Sequence, residues 1–360
     1  MRISKQLIMA FVLSLPLFCT SCTSSAESDI KGIVNSQLGM LKKPNAELFK
    51  KYLPEKGLYT DPTDQTANRQ ELASMLALYF QDFDYRIQMI QVSEDTASVK
   101  VKLWTRDAQH LAREYKSRLL SEQVLAASRQ NPEAASFSFA QKQAVFSACL
   151  AEDVSPSVEI SAVIKLVLKK GQWVIKKSHR LADKLIGGLV KYMSDPFLLS
   201  AEETLDIYLD TFSQMNPEEL GCFMGSDSIL SGEETADFPE STIYASALLT
   251  QIDQLFRYQI ISSTVSGSEA TVRAEIISAD IQAIAEDFQS WLEDYLSSAQ
   301  AVCDGPSGRY QTAKDKMLAL IRGNQKVFST VSDFHLVNDG RSWKWEDPMN
   351  SLAPALFGNK

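Results

Sequence analysis

The chain has 360 residues, 45% of them hydrophobic and 22% charged, and a net charge of −9 at pH 7. This apolar content excludes a disordered chain, and the acidic balance speaks against nucleic acid, which is held by cationic surface that displaces phosphate counterions. Three histidines at no metal-ligand spacing, with no Gly-rich phosphate loop, G-x-S-x-G or H-E-x-x-H, leave no cofactor, metal or catalytic residue to expect.

In chain order, Arg2 and Lys5 precede an uncharged apolar run from Leu7 to Phe18, followed by Cys19-Thr-Ser-Cys22. A short positive segment, an apolar core too short to span a bilayer and small residues before a cut site read as an export signal over residues 1–21. Two endings fit. An ordinary secretory signal would be cut near Ala26. Alternatively, Thr20-Ser21 ahead of Cys22 resembles the lipobox of bacterial lipoproteins, which makes Cys22 the lipid-modified first residue. Cys19 is the poorer candidate because bulky Leu17 and Phe18 precede it, and the pattern departs from the usual lipobox in placing Cys19 where leucine is commonest. Attachment at Cys22 is the expectation, with a palmitate-type anchor, residues 22–28 as a flexible tether, and an address on the extracytoplasmic face of the cell membrane. No later segment is long and apolar enough to cross a membrane.

From residue 29 to 194 the spacing predicts a first α+β domain. Ile30, Val34, Leu38 and Leu41 fall at helical spacing. A short helix follows Pro44, then a polar loop over 59–67, and Leu72, Met75, Leu76, Tyr79 and Phe80 stripe a third helix. Strands are predicted near 84–92 and 97–105, turning at 93–96. Asp107 stands where a strand ends and a helical period begins, the place of an N-cap. That helix runs to about Ser128, breaks near Asn131–Pro132, and a partner helix covers about 139–151. Strands at 158–168 and 173–175 flank a Lys169-Lys170-Gly171 turn, and one closing helix holds Leu181, Leu185, Ile186 and Leu189.

Residues 195–360 repeat the order. Helices over 204–214 and 242–256 precede the hairpin, Asp280 takes the place of Asp107, and a helical pair over about 280–302 and 310–328 is split by Asp304-Gly-Pro-Ser-Gly308. A hairpin closes the domain, with strands at 331–337 and 343–345 about Asn338-Asp339-Gly340. Phe83–Tyr115 laid without gaps on Phe256–Phe288 keeps ten residues identical, among them Phe83/Phe256, Tyr85/Tyr258, Ile87/Ile260, Val99/Val272, Asp107/Asp280 and Gln109/Gln282. This is a tandem duplication. The fold expectation is α+β in two tandem repeats, each with N-terminal helices, a curved four-stranded antiparallel sheet and a long helical pair inserted between the strand pairs.

F-x-Y-x-I, A-x-V-x-V at Ala97–Val101, the D-x-Q-x-[LI]-A helix start and G-x-W-x-I at Gly171–Ile175 resemble the nuclear-transport-factor-2-like cone, in particular tandem-domain lipoproteins of Gram-positive bacteria. The resemblance covers nearly the whole chain after the signal. It implies the cone fold and a lipid-anchored address, and its motifs carry no assigned chemistry.

Charge divides the chain. Residues 26–194 hold 24 Lys and Arg against 19 Asp and Glu, a net +5, whereas residues 195–360 hold 10 against 26, a net −16. Such asymmetry bears on partners rather than folding. Lys165, Lys169, Lys170, Lys176, Lys177, Arg180 and Lys184 form a late basic cluster. It reads either as a solvated hairpin face or as a contact for an anionic surface, lipid or wall polymer. Asp107 and Asp280 are expected as helix caps, with a buried general base as the other reading. Tyr85, Tyr258 and the tryptophans are expected in cores. Cys149, Cys222 and Cys303 read as buried free thiols, with a Cys222–Cys303 disulfide as the alternative. The functional expectation is a membrane-anchored, non-catalytic binding or scaffold module of the cell envelope, with an envelope protein or anionic polymer as partner. The alternative is a small-molecule carrier or enzyme using a cone cavity.

Overall fold

The computed structural model describes residues 20–43, 74–75, 77–129, 137–176, 178–223 and 241–357. The fold is α+β, with two four-stranded antiparallel sheets in the orders β1-β2-β3-β4 and β5-β6-β7-β8. The first sheet comprises β1 (Asp84–Ser93), β2 (Thr96–Thr105), β3 (Val158–Lys169) and β4 (Gln172–Ile175). The second comprises β5 (Arg257–Ser266), β6 (Glu269–Ala279), β7 (Val327–Asn338) and β8 (Trp343–Trp345).

By packing, the chain divides into two compact units: residues 1–111 with 146–192, and residues 112–145 with 193–360. Residues 112–145, which lie before residue 194 in chain order, thus pack with the second unit. In the first unit, α1 (Thr20–Gly39) buries Ile30, Val34 and Leu38, and Leu41 follows in a short 3-10 turn. Residues 22–28, expected as a flexible tether, lie within α1. A helix nucleated by packed positions propagates outward at little cost, which accounts for the extension. Met75, Tyr79 and Phe80 are buried, and Tyr79 donates to Ile186 O at 2.7 Å. The helix expected after Pro44, the loop over 59–67 and the positions Leu72 and Leu76 lie outside the described residues.

The alternation of β2 is complete. Ala97, Val99, Val101 and Leu103 are buried while the residues between them are not, as a half-buried strand requires. The inward positions of β3, Ala162, Ile164 and Leu166, continue that core. Between the strand pairs lie α2 (Ala108–Ala127) and α3 (Phe139–Glu152). After β4, the closing helix is broken in two, α4 (His179–Leu185) and α5 (Leu189–Met193). Gly187 and Gly188 between them stand at φ +66° and +86°, left-handed backbone that a helix cannot continue through. A Cβ at Gly187 would also come within 3.3 Å of Arg106 O.

The second unit opens on α6 (Ala201–Ser213), which starts from a capping box: Ser200 Oγ accepts from Glu203 N, and the Glu203 carboxylate accepts from Ser200 N. Asn216 then caps α7 (Pro217–Phe223), accepting from Glu218 N and Glu219 N with Pro217 in the first turn. The helix α8 (Ser241–Leu255) leads into β5. Phe212, Phe256, Phe334 and Trp345 fill the core beside the inward row Val272, Ala274 and Ile276. The two hairpins keep one register pair for pair: Tyr85 opposes Leu103 and Tyr258 opposes Ile276, and each first strand bulges at the same place, between Ile87 and Met89 and between Ile260 and Ser262.

The helical pair differs from expectation. It is α9 (Ile281–Leu296) and α10 (Ala299–Gly323), and the break falls at Ser297–Ser298, where Ser298 caps α10. A further break falls where it was expected: Gly305, at φ 64° and ψ −179°, is not helical, so α10 is two helical stretches that meet at Gly305-Pro306. The strand that follows begins at Val327 rather than Val331, because β6 runs far enough to pair Ala279 with Val327. A final helix, α11 (Pro348–Phe357), buries Leu352, Ala355 and Leu356. Sequence reading missed it, although Asp347-Pro348 is a helix start and the apolar spacing follows.

The excursion 112–145 is held to the second unit by opposite charge and by an apolar stripe. Arg113 pairs with Glu203 and donates to Leu198 O at 2.6 Å, and Arg129 pairs with Glu219 at 2.7 Å. Lys116 donates to Asp195 O at 2.6 Å, and burial pushes its pKa down while nearby Asp195 opposes the shift. Ser121 and Thr211 share a 2.9 Å hydroxyl bond, and Val124 joins the core cluster with Leu120 and Leu125 against it.

Candidate anion-binding recess

The basic cluster sits where β3, the end of β4 and α4 meet. Alternation along β3 puts Ala162, Ile164 and Leu166 in the core, so Val163 and Lys165 must face outward. Lys176 N donates to Lys165 O at 2.7 Å, which places Lys176 beside the outward face of β3. Ser178 then caps α4, its Oγ accepting from Leu181 N at 3.1 Å. One helical turn separates Arg180 from Lys184, so both project from one side of α4. Lys184 Nζ reaches back to Ser161 O at 3.3 Å. The result is a recess of about 400 Å³ lined by Val163, Lys165, Lys176, Ser178, Arg180, Leu181 and Lys184. Four of the seven lining residues are cationic and none is acidic.

Of the seven basic residues singled out from sequence, Lys165, Lys176, Arg180 and Lys184 meet in this recess. Lys169 and Lys170 do not: Lys169 ends β3, paired with Gln172, and Lys170 takes φ 49° in the turn beside Gly171 at φ 74°. Lys177 lies outside the described residues. Ser178, Val163 and Leu181 were not anticipated. A serine three residues before an apolar helical position is the cap signal that would have found Ser178.

No protein-family model and no curated relative matches the chain. Among solved structures, one from Bacillus subtilis described as a candidate lipoprotein aligns with 76% of this chain and 96% of its own, at 12% identity and a TM-score of 0.27. A likeness that distant carries no argument about fold or function.

The other singled-out residues are placed as follows. Cys22 falls within α1. Asp107 Oδ1 accepts from Gln109 N at 3.1 Å and His110 N at 3.0 Å, and Asp280 Oδ1 accepts from Ala283 N at 2.8 Å. These are N-cap bonds to otherwise free helix donors. Replacing either aspartate by alanine is expected to cost about 0.5–2 kcal/mol in urea unfolding, with asparagine restoring most of it. Asparagine as harmful as alanine would mean that the charge, not the cap, matters there.

Tyr85 and Tyr258 tie their hairpins to the preceding helices, Tyr85 OH donating to Asn35 O at 3.2 Å and Tyr258 OH to Asp206 Oδ1 at 3.0 Å. Burial, then the Asp206 carboxylate, pushes the Tyr258 pKa far above the usual phenol value. Cys149, Cys222 and Cys303 are in no disulfide, so Cys222 and Cys303 are not bonded to each other; only Cys149 is buried, Cys222 being half-buried and Cys303 exposed. A second recess, about 490 Å³, lies in the second unit between α8, α9 and α10; it is apolar, with Leu248, Ile284, Phe288 and Met317 among its walls. Among the described residues no helix is long and apolar enough to cross a membrane.

Proposed function

We propose that this protein is a lipid-anchored module of the extracytoplasmic face of the cell envelope, held by an acylated Cys22, whose first unit engages anionic surface through the basic recess. The observation that carries the reading is the convergence of Lys165, Lys176, Arg180 and Lys184 on one concavity with no lining carboxylate. Cations near an anionic membrane contribute about 1 kcal/mol each, so four on one face are a sufficient second attachment beside an acyl anchor. The role is binding or scaffolding rather than catalysis.

In this reading the two sheets are copies of one cone-like unit of the nuclear-transport-factor-2 type, as in tandem-domain lipoproteins of Gram-positive bacteria. The shared hairpin register, with its bulge repeated in place, supports the duplication, because independent hairpins have no reason to bulge at aligned residues. The inward rows of the second strands, Ala97, Val99, Val101 and Leu103 in β2 and Ala270, Val272, Ala274 and Ile276 in β6, are buried, and the basic recess opens on the other face of its sheet, which supports a surface role.

Cell fractionation and vesicle sedimentation test the proposal together. Cys22→Ser is expected to move the protein from the membrane to the soluble or secreted fraction. The released chain should then sediment with phosphatidylglycerol vesicles, not with neutral ones, and lose this on Lys165→Glu/Lys176→Glu. Retention of Cys22→Ser in membranes after a high-salt wash, which screens the cationic contact, would remove the anchor; equal sedimentation with both vesicles would leave the cluster an ordinary solvated face.

A further inference from the structure

We propose that the recess is a discrete site for a phosphate group carrying two negative charges, a phosphomonoester or diphosphate, and not only a patch of positive potential. This rests on the reading of the recess as the anion-contacting surface. Three observations carry it.

First, the cations are arranged by rigid elements around a concavity. Lys165 and Lys176 are fixed relative to each other by the 2.7 Å main-chain bond across β3 and β4, and Lys184 is drawn toward β3 by its bond to Ser161 O. A volume of about 400 Å³ is the size of a small-ligand site, so a headgroup can enter rather than rest on a flat face.

Second, the donors match phosphate. Arg180 offers a planar fork suited to two oxygens of one tetrahedral group, and the three ammonium groups supply point charges from other directions. Ser178 Oγ is already engaged as an acceptor from Leu181 N, which leaves its hydrogen to donate outward. Four cations exceed what one monoanionic phosphodiester neutralises; a dianionic group balances them better.

Third, the cations are not spread evenly. Val163, 51% exposed, and Leu181 supply apolar wall beside the charges, a surface for the carbon part of a phosphorylated headgroup. Lys169 and Lys170 stand outside the recess and serve as internal controls.

The source of the group, a lipid headgroup or a free phosphorylated compound, is separated by experiment. The complete chain bearing Cys22→Ser is sedimented with vesicles containing phosphatidic acid, a phosphomonoester, or phosphatidylglycerol, a phosphodiester, at matched surface charge. Inorganic pyrophosphate is titrated separately by calorimetry. At pH 7.5 phosphatidic acid is expected to bind at least about tenfold more tightly than phosphatidylglycerol, the margin shrinking toward pH 5 as the second phosphate proton returns near pH 6. Arg180→Gln/Lys184→Gln should abolish that margin and pyrophosphate binding, whereas Lys169→Gln/Lys170→Gln should leave both intact. All four positions are exposed, and melting curves confirm that the variants fold. Pyrophosphate binding without vesicle binding would keep the site, assign it to a soluble compound and sink the membrane reading. Equal binding to both vesicle types without pyrophosphate binding overturns the site while leaving the surface reading standing. Binding to none of them overturns both, and so does equal loss from the turn and recess pairs in the case of the site.

Discussion

Arg106→Ala is expected to destabilise the first unit by about 3–5 kcal/mol, the range for removing one partner of a buried ion pair. Arg106 follows β2 and is buried; its Nε donates to Leu78 O at 3.1 Å, and its Nη1 donates to Asp153 O at 3.1 Å and Asp153 Oδ2 at 2.8 Å. One guanidinium thus joins the helical turn before β1, the β2–α2 junction and the end of α3. Alanine would leave the Leu78 and Asp153 carbonyls without this donor and the Asp153 carboxylate, 5% exposed, without its cation, and each buried group left unmet costs about 1–3 kcal/mol. Lysine cannot replace the fork and should recover only part of the loss.

The same pair sets an acid dependence. Burial works to raise the Asp153 pKa, but hydrogen bonds from Ser155 and Arg106 outweigh it and hold the carboxyl below its ordinary value. A depressed folded pKa gives stability that is complete above the unfolded value, near pH 4, and is lost as pH falls through the lower folded value. The difference between wild type and Asp153→Asn should therefore be full at pH 7 and shrink below pH 4. A difference that stays constant down to pH 2 would mean that the carboxylate contributes shape rather than charge.

Strand positions were legible wherever one face is buried. The alternation of Ala97, Val99, Val101 and Leu103, and of Ala270, Val272, Ala274 and Ile276, leaves only one register, and Asn338-Asp339-Gly340 marks the separate turn between β7 and β8. Helix ends were less legible because two local signals compete. Gly305-Pro306 does interrupt the helix, but Ser298 caps an earlier start that no glycine or proline announces, so the chain breaks at Ser297–Ser298 as well. Val327-Phe328 reads equally as helix or strand in an apolar run; its pairing with β6 decides. The recess was half legible. Composition found the basic residues, but position along β3 and the i,i+4 spacing on α4 are what separate Lys165, Arg180 and Lys184 from Lys169 and Lys170 at the far end of the β3–β4 hairpin. A seven-residue list treats those two lysines as equal members, whereas the fold does not.

The allegiance of α2 is what sequence concealed most fully, and a charge placed on it should expose the fact. Val124→Asp is expected to destabilise the second unit by about 3–5 kcal/mol, from lost apolar burial plus the cost of a buried carboxyl. Val124 is 6% exposed within the cluster that holds Leu209, Phe212, Ile252 and Phe334, all contributed by residues beyond 200. In chain order it lies between the strands of the first sheet, so contiguity predicts that its loss would loosen that sheet. Packing predicts the opposite, because the stripe of Leu120, Val124 and Leu125 and the pairs Arg113–Glu203 and Arg129–Glu219 all engage the second unit. The ion pairs alone are partly exposed and worth about 1 kcal/mol or less each, so the apolar stripe carries the attachment. Hydrogen exchange separates the two outcomes. Protection in β6 and β7 should fall in Val124→Asp while β2 and β3 keep theirs, and Ala127→Asp, at an exposed position on the same helix, should cost under about 1 kcal/mol. Loss confined to β2 and β3 would return the helix to the first unit and make its contacts with the second incidental.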